Sequence, residues 1–110
     1  MKQYEIWWAE LPPPGGQRRA LLLNRNDAYD VLHKYIAVEI TTTIRDIPVE
    51  VSLDRRDGLD RSRAANFDNL RPISKAHLSK RIGALDPGRI REVKRALGYA
   101  LRWEELLDIE

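Results

Sequence analysis

The chain has 110 residues and a mass of 12.8 kDa, which fits one domain spanning residues 1–110 with one modest core and excludes a multidomain enzyme. Hydrophobic residues make up 43% and charged residues 33%, which excludes a disordered chain and a membrane protein; the absence of cysteine excludes disulfides, thiolate zinc sites and cysteine nucleophiles. Nineteen Lys and Arg against seventeen Asp and Glu leave a net charge of only +2, but residues 61–102 hold eleven bases and three acids, and residues 103–110 hold four acids and no base.

An Arg-rich segment of this kind attracts phosphates and suits bidentate contacts to them. The lack of cysteine fits a reducing compartment. No apolar stretch is long enough to span a bilayer, and Met1-Lys2-Gln3-Tyr4-Glu5 lacks the apolar region of a secretory signal. A cytoplasmic protein is expected.

Residues 4–11 partly alternate and stop at Pro12-Pro13-Pro14-Gly15-Gly16, which predicts a strand followed by a stiff loop. Residues 20–23 predict a second strand, ending in Asn24-Arg25-Asn26-Asp27, which suits a turn or helix cap. Residues 35–44 are rich in β-branched types, and residues 49–53 alternate with Val49, Val51 and Leu53 on one face; both predict strands in an antiparallel setting. A polar loop is expected over residues 54–63, then a short strand near residues 70–73, with Pro72 confining it to an edge or an end. Past Asp86 the period changes. Asp86 as cap, Pro87 at the first helical position, and Ile90, Val93, Leu97 and Leu101 at spacings of three and four predict a helix. Short strands followed by a terminal helix predict a small twisted barrel or curled sheet closed by that helix.

There is no phosphate-binding Gly-rich loop, dinucleotide fingerprint or metal-ligand spacing, and His33 and His77 have no nearby ligand pair. Metal-independent chemistry is the expectation, with no cofactor. Three polar features remain. Gly15-Gly16-Gln17-Arg18-Arg19 delivers adjacent arginines to the start of a strand, where alternation aims one of them into a site. Thr41-Thr42-Thr43 ends an apolar strand with hydroxyls that can hold a phosphate, or serve as ordinary strand residues. Asn66-Phe67-Asp68-Asn69-Leu70-Arg71 alternates polar groups with an aromatic, a pattern able to read bases. Trp7 and Trp8 are adjacent in a strand, so one belongs to the core and the other to the opposite face. That second face can bear a base platform, a subunit contact or the terminal helix.

Taken in order, these features resemble the MazF/PemK family of toxin endoribonucleases over nearly the whole chain. The resemblance runs through Glu5-Ile6-Trp7-Trp8-Ala9-Glu10-Leu11, Gly16-Gln17-Arg18-Arg19, Asn26-Asp27 and Ile40-Thr41-Thr42-Thr43-Ile44-Arg45. It continues through Ile47-Pro48-Val49-Glu50-Val51, Gly58-Leu59, Asn66-Phe67-Asp68-Asn69-Leu70-Arg71, residues 78–85 and the final helix. It implies a mainly β fold, a small SH3-like barrel with appended helices, forming a homodimer that cleaves single-stranded RNA without metal. It also implies a cognate MazE-like antitoxin whose acidic, flexible tail occupies the RNA groove.

By that resemblance Arg19 matches the arginine that serves the cleaved phosphate and Thr41 the catalytic hydroxyl residue. Asp68 and Asn69 fall where the family has an acidic residue and glutamine, and Arg71 matches a basic position. Arg18, Thr42, Thr43, Lys80 and Arg81 join them as RNA-binding or assisting residues. Ala20 stands where the family has proline, which is expected to loosen the strand start, and Asn69 shortens a polar arm. The expected reaction is attack by the RNA's own 2′-hydroxyl on the adjacent phosphorus, leaving 2′,3′-cyclic phosphate and 5′-hydroxyl ends. Arg19 acts in it as an electrostatic clamp, with His33 and Asp68 as candidate assistants in proton transfer. The alternatives are a non-catalytic nucleic-acid-binding module and a protein-interaction module built on the same barrel.

Overall fold

A computed structural model describes residues 1–107; the end of the acidic segment, residues 108–110, lies outside the described residues. Its strands are β1 (Glu5–Leu11), β2 (Gly16–Leu22), β3 (Lys34–Thr41), β4 (Glu50–Leu53), β5 (Arg63–Ser74) and β6 (Leu78–Ala84). The helices are α1 (Ala28–Val31), α2 (Ile90–Leu101) and α3 (Glu104–Leu107). All six strands form one sheet in the order β4-β5-β3-β2-β1-β6, with every neighbouring pair antiparallel.

Both faces of this sheet carry apolar side chains. Ile6, Leu21, Val38, Ile40, Val51, Leu53 and Phe67 form the inner cluster, covered by Val93 and Ala96 of α2. Ala20, Leu22, Tyr35, Ala37 and Ile73 form the outer cluster, which Tyr29 of α1 covers and Trp7 flanks. The α2 stripe predicted from sequence packs through Ile90, Val93 and Leu97, but Leu101 is exposed. Asp86 does not cap with its carboxylate; its carbonyl oxygen accepts from Arg89 N–H at 2.8 Å.

The sheet curls until its two edges approach, and a buried carboxylate ties them. After β4 the chain makes a 3-10 turn, Arg55–Asp57, and Gly58 adopts φ 91°, a left-handed conformation that favours glycine. Asp57, 0% exposed, accepts from Asp54 N–H at 2.9 Å and, beyond β6, from Asp86 N–H at 2.8 Å. Arg89, buried at the entry to α2, lies 3.1 Å from the Asp57 carboxylate and donates to Asp54 at 2.9 Å. The result is a half-barrel with α2 over its inner face. Gly83 of β6 takes part in this approach of the edges, because a Cβ there meets the Asp57 carbonyl oxygen and the Gly58 Cα. Gly83→Ala is expected to cost about 1–3 kcal/mol in urea unfolding; an unchanged midpoint would mean the edges are not pressed together.

Several elements depart from the sequence reading. β2 starts at Gly16 and not at residue 20, so Arg18 and Arg19 sit in a ladder opposite Ala9 and Trp8 and not at the end of a mobile loop. β3 stops at Thr41, where the chain bends. β5 runs for 12 residues in place of a short strand, and β6 and α1 were not foreseen. Pro72 does sit at a local edge: it pairs with Ile36 of β3, while β4 accompanies β5 only over its first residues, so the missing N–H opposes no strand.

Candidate active site

Arg19 takes its place from the ladder. It sits opposite Trp8 on β1 and Ile40 on β3, and residues opposite one another share a face. Its half-buried side chain therefore lies at the rim of the inner face. The Trp8 ring lies against the guanidinium, with Cζ 4.3 Å from the ring centroid, a cation–π contact that restrains a long side chain. Arg63 approaches from the start of β5, opposite Leu53 on the same face, and is 5% exposed. Arg63 donates to Asp60 through Nε at 3.2 Å and Nη2 at 3.0 Å, which holds the Asp60 carboxyl below its ordinary range. Burial first, and the charge of Arg63 second, pull the Arg19 pKa below its ordinary value; Asp60 opposes them and Arg61 adds to them.

Alternation sends Arg18 and Thr41 to the outer face, opposite Ala9 and Ala64 respectively. The two faces meet at the rim where β3 ends. There Arg18, Arg19, Glu39, Thr41, Thr42 and Arg63 line one open cleft of about 350 Å³. Thr41 Oγ1 accepts the Thr43 N–H at 3.1 Å, which occupies a lone pair and leaves the hydroxyl hydrogen to donate. Thr43 contributes this backbone contact, and its exposed side chain lies outside the cleft. Glu50 Oε1 accepts from Arg45 N–H at 2.9 Å and Asp46 N–H at 3.0 Å, shaping the loop that follows.

Glu39 also borders a second cleft, with Asp68, Asn69 and Arg71; Arg71 Nη1 donates to Glu39 Oε1 at 2.9 Å. Lys80 and Arg81 line neither cleft. They lie on β6 opposite Trp8 and Trp7, and Arg81 Nε donates to Glu5 Oε2 at 3.0 Å. His33 precedes β3 at the end opposite Thr41, roughly 25 Å away at ~3.3 Å per residue, so within one chain it is no assistant to Thr41.

The PemK-like, MazF-like toxin family of type II toxin-antitoxin systems matches residues 2–101. This chain belongs to that family. A Mycobacterium tuberculosis protein named as the probable endoribonuclease MazF5 is 35% identical over 98 residues, covering 88% of this chain and 89% of that protein. The solved structure of the M. tuberculosis toxin MazF-mt6 matches with a TM-score of 0.83 at 28% identity, over 89% of this chain and 96% of that one. A mycobacterial endoribonuclease solved in complex with its cognate antitoxin matches with a TM-score of 0.82 at 24% identity, over 94% and 96% of the two chains; at that identity the likeness is one of fold.

For this MazF/PemK chain, the substitution at Ala20 does not loosen β2: Ala20 is fully buried and pairs with Trp7 and Glu39 in an unbroken strand. Trp7 and Trp8 do divide between the faces. Trp7 packs against the outer cluster, while Trp8 lies on the other face, in contact with the Arg19 guanidinium. Glu39 and Arg63 are the cleft residues that sequence reasoning missed. Among the described residues no group of three or more His, Cys, Asp or Glu could hold a metal ion. Among the described residues no helix is long and apolar enough to cross a membrane.

Proposed function

We propose that this single-domain MazF/PemK protein is a cytoplasmic endoribonuclease toxin that cuts single-stranded RNA at specific sequences without a metal. The observation that carries the reading is the cleft where Arg19 and Thr41 meet, in a chain of a toxin family whose relatives are named as endoribonucleases. The RNA 2′-hydroxyl oxygen attacks the adjacent phosphorus. The O2′–P bond forms as the P–O5′ bond breaks, leaving a 2′,3′-cyclic phosphate and a 5′-hydroxyl. Arg19, a protonated guanidinium, neutralises charge developing on the phosphoryl oxygens. Thr41 donates its hydroxyl hydrogen to the same centre.

Proton transfer falls to Glu39, the carboxylate bordering both clefts. It accepts the 2′-hydroxyl proton, and the departing O5′ takes a proton from water in the open cleft. Glu39→Gln is expected to lower the single-turnover rate by about 10²-fold or more. A folded Gln variant with the wild-type rate takes Glu39 out of proton transfer.

Arg18, Thr42, Asp68, Asn69 and Arg71 are assigned to nucleotides flanking the cut, and Lys80 and Arg81 to the RNA backbone farther away. The protein works as a homodimer, for which exposed Val31, Leu32 and Ile36 offer apolar surface. It is held in check by a cognate MazE-like antitoxin with an acidic flexible tail. That partner is supported by the related fold solved with its antitoxin and by the arginines of the cleft.

The test is a single-stranded RNA of mixed sequence beside its all-deoxy counterpart. The RNA is cut and the DNA is left whole, since DNA lacks the nucleophile. Cleavage of the DNA overturns the mechanism. Intact RNA with folded protein overturns the enzyme reading, and RNA binding unchanged by Arg19→Ala then favours a non-catalytic module.

A further inference from the structure

The cleft holds a second arginine with an unusual environment. Arg63 is 5% exposed, at the start of β5, on the inner face that also carries Arg19. Asp60, itself exposed, takes its Nε and Nη2 at 3.2 and 3.0 Å, and among the described residues Nη1 has no hydrogen-bond partner. An arginine used only to close the loop before β5 would not need to line the cleft beside Arg19, Thr41 and Thr42, as Arg63 does.

Its charge acts on Arg19. The Arg63 guanidinium lowers the Arg19 pKa after burial has done so, and Asp60 offsets only part of the repulsion. A second cation beside Arg19 disfavours its charge, and an anion placed between the two relieves it. A phosphodiester supplies that anion, and a guanidinium with one edge fixed and a free Nη1 is preorganised to meet its oxygens.

We propose that Arg63 is a second phosphate-binding residue of the cleft, donating Nη1 to the phosphodiester that Arg19 also holds, with Asp60 as its positioning residue. This rests on the ribonuclease reading above. Cleavage and binding are therefore measured apart: cleavage on RNA in single turnover at saturating protein, binding on a 2′-O-methyl RNA of the same sequence, which no 2′-hydroxyl attack can cut.

Arg63→Gln is expected to make the slope of log affinity against log salt shallower by about 0.7, the value of one contact to a single strand, and to slow cleavage at least tenfold. Asp60→Asn keeps the cation, so the slope is retained while the rate falls. Melting temperatures establish that each variant is folded. A folded Arg63→Gln with the wild-type slope and a rate within twofold of wild type overturns the proposal. If that variant does not fold, Arg63→Lys carries the test. It keeps the slope and loses rate because it lacks the planar fork, and a wild-type rate in it overturns the proposal. Wild-type protein that leaves RNA intact but binds the 2′-O-methyl strand with a slope reduced by Arg63→Gln overturns the nuclease reading and supports Arg63 as a phosphate ligand.

Discussion

Arg19→Ala lowers single-turnover cleavage by about 10²- to 10³-fold at saturating RNA, the loss that follows removal of one preorganised donor to a developing oxyanion. The arginine is held by its ladder position opposite Trp8 and Ile40 and by the indole ring 4.3 Å from Cζ, so its charge is in place before the phosphate arrives. At saturating RNA the loss belongs in the chemical step, because charge that builds up during attack draws on the clamp more strongly than the bound phosphodiester does. Its half-buried side chain stands outside the apolar cluster, so folding is expected to survive, as circular dichroism and thermal melts would show. Arg19→Lys recovers part of the rate, since a point charge replaces a planar fork. A folded Ala variant with the wild-type rate takes Arg19 out of the reaction.

Asp57→Ala is the substitution with the largest expected effect on stability, about 3–5 kcal/mol, the range for breaking one side of a buried ion pair. The carboxylate accepts from Asp54 and Asp86 N–H and faces Arg89, which is 5% exposed. Its removal leaves a buried guanidinium short of a partner and two N–H groups without acceptors, at the point where the sheet edges come together. Arg89 retains Asp54 at 2.9 Å, which keeps the cost from rising further. Urea unfolding of both proteins measures the difference. A loss below about 1 kcal/mol would show that water takes over the role of the carboxylate.

The elements with clear punctuation were legible in the sequence: β1 before its prolines, β4 with Val51 and Leu53 on one face, and α2 after Pro87. β5 was read short because Ala64, Ala65, Asn66 and Phe67 are all buried, so both sides of the strand are covered and the alternation that marks a strand is absent. β6 is an edge strand that pairs with β1 at the end of the sheet, and its exposed Ser79, Lys80 and Arg81 resemble a loop. Arg19 and Thr41 stood out through the resemblance to a family, since neither residue type nor spacing separates them from surface. Glu39 and Arg63 depend on register. Nothing local distinguishes Arg63 from the other basic residues of its segment until β5 is aligned with β3 and β4.

The bond broken and the group that attacks it define the reaction. The direct measurement is the chemistry of the new ends after wild-type protein has acted on a mixed single-stranded RNA pool in the presence of EDTA. Cuts are expected at one recurring sequence motif, each with a 2′,3′-cyclic phosphate on the upstream fragment and a 5′-hydroxyl on the downstream one. Ends carrying a 5′-phosphate and a free 3′-hydroxyl, or cleavage abolished by EDTA and restored by a divalent ion, would contradict it.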